Sequence, residues 1–75
     1  MSTAETDVRT LGEALPLEMA RVRDKVLPAY RAIGPAGTFA ITWMTRALDD
    51  AARAMAEGDV VAMIKAYEEL KGATT

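Results

Sequence analysis

The longest uninterrupted pattern in the chain runs from Thr38 to Glu57, TFAITWMTRALDDAARAMAE, with no glycine or proline inside it. Plotted at 100° per residue, Thr38, Thr42, Thr45, Arg46, Asp49, Asp50, Arg53 and Glu57 fall on one polar stripe. Ala40, Met44, Ala47, Leu48, Ala51 and Met55 occupy the opposite arc, with Ile41 and Trp43 on its shoulders. The pattern predicts an amphipathic helix over 38–57. Its two halves differ. The second half has a charged stripe that water can solvate, whereas the stretch Phe39–Met44 offers only threonines on its polar side. A helix that is apolar nearly all round is buried on more than one side. The Phe39–Met44 end is therefore expected to lie under other helices or under a partner.

On either side the same three- and four-residue spacing recurs. Met19, Val22, Val26, Tyr30 and Ile33 predict a helix over 16–33. Pro16 suits its first position, and Glu18 in the first turn favours the helix dipole. Pro28 interrupts the stripe and predicts a kink or break near Asp24–Pro28. Gly34-Pro35-Ala36-Gly37 ends that helix in a tight reversal, with Thr38 as N-cap of the next. Gly58 caps the central helix and Asp59 starts another over 59–71. Its stripe is Val60, Met63, Ile64, Tyr67 and Leu70; Gly72 ends it, and 73–75 read as tail. Residues 1–15 carry a weaker pattern. Val8, Leu11 and Leu15 have amphipathic spacing and Ser2 with Glu5 could form a capping box, but Gly12 weakens a helix there. This segment reads as a frayed tail or a short docking helix. The expected fold is all-α: a three-helix antiparallel bundle with a kinked first helix, its helical domain spanning 16–72.

Composition bears on how such a fold is held together. Seventy-five residues make one domain, and a core of that size is marginal by itself. Cysteine and histidine are both absent, which removes disulfides and the strongest zinc ligands. Oligomerisation is the remaining common support, so a homodimer or larger homo-oligomer is expected. Apolar residues at 51% and charged residues at 27% describe a globular chain. No apolar run approaches the roughly 20 residues a bilayer span needs. The polar N-terminus MSTAETDVRT lacks the blocks of a secretory signal. A cytoplasmic protein without membrane contact is expected.

Candidate chemistry is sparse. Asp49, Asp50 and Glu57 sit beside Arg46 and Arg53 at helical spacing, which reads as a solvated face with weak ion pairs. No histidine or cysteine stands ready to activate a hydroxyl. Tyr30 and Tyr67 fall on apolar stripes, where the ring is core and the hydroxyl reaches the rim. Gly34–Gly37 lacks the Lys-Ser/Thr of a phosphate loop, and no calcium loop is visible. The expectation is no catalytic residue, no cofactor and no metal. Arg21, Arg23, Lys25 and Arg31 make the first helix basic, but the last helix carries Asp59, Glu68 and Glu69 against Lys65 and Lys71. A net-negative recognition helix is wrong for phosphate contacts, so nucleic acid is disfavoured at a net charge of −2. The methionines on apolar faces, Met19, Met44, Met55 and Met63, read as core filling. The sharper candidates are Phe39, Ile41, Trp43 and Met44, with Arg46 at their rim, as a partner-binding surface.

Two resemblances add to this. Leu48–Leu70, LDDAARAMAEGDVVAMIKAYEEL, resembles a single tetratricopeptide helical hairpin in its small alanines, its Gly58-Asp59 turn and Tyr67. The stretch PLEMARVRDKVLPAYRAIGPAG resembles small uncharacterised bacteriophage and prophage proteins. That second resemblance implies a modulator or inhibitor that binds a host protein, or a virion-assembly accessory. The expected function is a small non-enzymatic protein–protein interaction module. A structural subunit of a larger particle and a small DNA-binding regulator are the alternatives.

Overall fold

The computed structural model describes residues 8–74, with side chains described from Thr10 onward; the expected Ser2–Glu5 capping box lies outside these residues. The described chain is all-α, as the periodicity predicts. Its elements are α1 (Val8–Arg21), a π-helical stretch at Val22–Val26, α2 (Leu27–Ala32), a 3-10 turn at Gly34–Gly37, α3 (Thr38–Glu57) and α4 (Val60–Lys71).

The first helix begins earlier than Pro16. α1 runs through that proline, although an interior proline removes one hydrogen bond, here to the Gly12 carbonyl, and crowds the preceding turn. Burial explains the difference. Leu11 and Leu15, one turn apart, are both in the core. Burying a leucine contributes about 1.5–3 kcal/mol, comparable to the roughly 3 kcal/mol an interior proline costs. Residues 8–15 are thus a helical part of the domain.

Pro28 acts through the turn before it. Between Val22 and Val26 the helix widens, and the Leu27 N–H donates to the Val22 carbonyl, one residue further back than in an α-helix. Pro28 has no N–H to give to Asp24, and it stands in the first turn of α2. The extra residue rotates everything downstream. Val22, Val26 and Leu27 are buried, Tyr30 is half-buried, and Ile33 has left the core face, 56% exposed. The expected stripe from Met19 to Ile33 therefore holds only as far as Tyr30.

The turn into α3 depends on Gly37. A Cβ there would overlap the Tyr30 carbonyl oxygen and crowd the Ile33 side chain, so the two helices approach as closely as they do only because this residue has none. Gly37, not Thr38, occupies the N-cap position, and no side chain caps α3. The second turn follows the expected chemistry. Gly58 adopts φ +67°, a left-handed conformation that glycine takes at no steric cost. The Gly58 N–H donates to the Met55 carbonyl at 3.2 Å and the Asp59 N–H to the Ala54 carbonyl at 3.0 Å, the paired bonds of a Schellman ending. The Asp59 carboxylate accepts from the Ala62 N–H at 3.1 Å and caps α4.

The core joins the helices through one cluster. Leu11, Leu15, Val22, Val26 and Leu27 come from the first half, Met44, Ala47, Ala51 and Ala54 from α3, and Met63, Ala66, Leu70 and Ala73 from the last segment. Met44 and Met63 fill core space as their pattern suggests, while Met19 and Met55 pack partly against it. The alanines keep side-chain volume low where α3 meets α4.

Residues 73 and 74 are held in place. Ala73 is buried, and its N–H donates to the Leu70 carbonyl at 3.0 Å. That same carbonyl accepts from the Arg21 guanidinium at 3.0 Å, a cation where the dipole of α4 is negative. The Tyr30 hydroxyl donates to the Thr74 carbonyl at 2.8 Å. Residues 73 and 74 are thus clasped, where the pattern reads tail.

Candidate functional site

The five residues of the sequence-derived surface separate into three environments. Met44 is 1% exposed and belongs to the core, so it is withdrawn from any surface contact. Ile41, on the shoulder of the apolar arc, is half-buried and packs against the core. Phe39, Trp43 and Arg46 lie outside, with Phe39 at 84% and Trp43 at 38% exposure. The expectation that other helices lie over the aromatic front does not hold for Phe39 among the described residues. The wheel gives the reason. Met44 and Ala47 point into the protein, and residues 39, 43 and 46 are rotated by about 100° from that direction.

Phe39 and Trp43 are four residues apart on one helix, so their rings project from the same face. A phenylalanine side chain offers about 150–200 Å² of surface, and here most of it meets water. Arg46 follows one turn later, exposed, and among the described residues no ion pair holds it. Other cations are engaged. Arg21 pairs with Glu18 at 2.8 Å, and its hydrogen bond to that carboxylate raises the guanidinium pKa further. Arg23 lies 3.0 Å from Asp24; that hydrogen bond raises the arginine and holds the Asp24 carboxyl below its ordinary range. Both residues of that pair are well exposed, so screening leaves them little weight in stability. Arg53 lies 3.4 Å from Asp50, the kind of weak solvated pair the stripe predicts.

The structure also shows two grooves that pattern reading misses. One, of about 370 Å³, lies between α1 and α4, with Leu11, Ala14, Ile64, Tyr67 and Lys71 among its walls. The Lys71 ammonium stands 5.3 Å from the centre of the Tyr67 ring, a cation–π distance. Ile64 opens this groove because it is 45% exposed, although the spacing places it on the core stripe. Met63 and Ile64 are neighbours 100° apart on the helix, and only Met63 points inward. That geometry was the available signal. The other groove, of about 310 Å³, runs between α3 and α4 over Ala54, Ala62 and Ala66, with Asp50, Glu57 and Lys65 on its rims. Among the described residues no helix is long and apolar enough to cross a membrane.

Comparison of the chain with protein-family models, curated proteins and solved structures gave no match. The functional reading therefore rests on the surface itself.

Proposed function

We propose that this chain is a non-enzymatic protein–protein interaction module whose anchor is the Phe39–Trp43 pair, with Arg46 beside it. One observation carries the reading: two aromatic rings on adjacent turns of one helix face, the first 84% exposed. Large aromatics left on a surface are costly to hydrate, and aromatics and arginine dominate binding energy where partners meet. Arg46 supplies a charge with no internal pair to break, which fits a partner carboxylate at the rim.

The test is quantitative capture of partners from the cells that make the protein, comparing the native chain with Trp43→Ala. The substitution is expected to weaken association by about 2 kcal/mol, roughly thirtyfold, as for a central aromatic anchor. Circular dichroism checks that the variant remains helical. A folded Trp43→Ala variant that keeps the same partners at the same affinity overturns the assignment.

A further inference from the structure

The interaction reading leaves the partner open; resting on that reading, we infer that the partner is a second copy of this chain, packed α3 against α3 in antiparallel orientation across a two-fold axis. The argument starts from a stripe. Phe39, Trp43, Arg46, Asp50, Arg53 and Glu57 are all exposed and all lie on one side of α3. Their spacings are four, three, four, three and four, the alternation that keeps one helix seam facing another. Along it the order is two aromatics, then positive, negative, positive, negative.

That order is complementary to itself when reversed. With the two-fold axis midway between Arg46 and Asp50, Arg46 of each copy meets Asp50 of the other. Trp43 meets Arg53, a guanidinium over an aromatic face. Phe39 lies beside the methylenes of Glu57. A parallel arrangement about the same seam sets Arg46 on Arg46 and Asp50 on Asp50, like charge on like, which is disfavoured. Symmetry doubles every match, because a two-fold contact repeats each pair. The overlap from Phe39 to Glu57 extends for about 27 Å at the rise of an α-helix. The seam carries only two aromatics per copy, so the dimer is weak and exchanging.

Sedimentation equilibrium of the full chain from about 1 to about 500 µM reads the equilibrium, with dissociation expected within that window. Arg46→Glu sets two carboxylates together across the axis twice, and Asp50→Arg sets two guanidiniums together twice. Each is expected to weaken the dimer by about tenfold or more. The double variant Arg46→Glu/Asp50→Arg restores the pairing and returns the constant to within about threefold of the native chain. Melting curves of each variant at low concentration separate a folding defect from an association defect. A chain that stays monomeric throughout overturns the inference, as does a dimer indifferent to either reversal or a double variant that fails to recover. If the chain is monomeric while Trp43 still controls capture of another protein, the interaction reading stands and the self-contact alone is lost.

Discussion

The two halves of α3 are built from the same helix and end in opposite conditions. From Ala47 to Glu57 the inward positions are Ala47, Ala51 and Ala54, all buried, and the outward ones are charged. From Thr38 to Arg46 the one buried residue is Met44, while Phe39 is 84% and Trp43 38% exposed. Small side chains let α4 lie close along the closed half. At the open half the bulk that could fill a core sits a quarter-turn away from it. Exposure in this molecule therefore follows angular position on the helix more than hydrophobicity: alanine is inside and phenylalanine is outside on the same helix.

The comparison can be broken most forcefully at Met44. Met44→Ala removes the main inward side chain of the open half and is expected to destabilise the protein by about 2–5 kcal/mol in urea unfolding. For a chain of this length, with a total stability of roughly 4–11 kcal/mol, that approaches global unfolding. If the loss is under about 0.5 kcal/mol, the open half contributes no core and the contrast fails. Next is Ala51→Leu, which forces a larger side chain between α3 and α4 where Ala51 is fully buried. Overpacking is expected to cost about 1–3 kcal/mol, and a stabilised variant would mean that the closed half is loosely packed. Asp59→Ala tests the turn that keeps α4 against that half. Loss of the cap to Ala62 is expected to cost about 1 kcal/mol, seen as a lower thermal midpoint. The smallest effect belongs to Phe39→Ser. A ring that touches little is expected to change stability at low concentration by no more than about 0.5 kcal/mol. A larger loss would show that Phe39 packs within the monomer, which removes the open half from the comparison.

How far the fold could be read in advance differs from one connection to the next. Gly58 and Asp59 are local devices, a left-handed cap and a side-chain cap, and both act within five residues. They were legible for that reason. The start of α1 was not, because Pro16 carries a strong local signal for a helix beginning, while the burial of Leu11 and Leu15 that overrides it depends on residues far along the chain. Gly37 is a similar case. Its role as close-approach point to the Tyr30 carbonyl is a meeting of two helices and has no pattern of its own. At the candidate site, the prominence of Phe39 and Trp43 was legible from the absence of charged residues around them. Met44 is separated from them on the same wheel, where it falls on the apolar arc opposite the polar stripe.

The order of hydrophobic and polar positions thus determined on its own that the chain is all-α, where α3 runs, and how α3 turns into α4. These follow from periodicity and from caps, which act over one or two turns. Tertiary structure decided the rest. It set the extension of α1 through Pro16 and the bonds from Tyr30 and Arg21 to the Thr74 and Leu70 carbonyls. The physical reason is common to both: each depends on contacts between residues distant in the chain, and a helix pattern specifies which residues share a face but not what that face will meet.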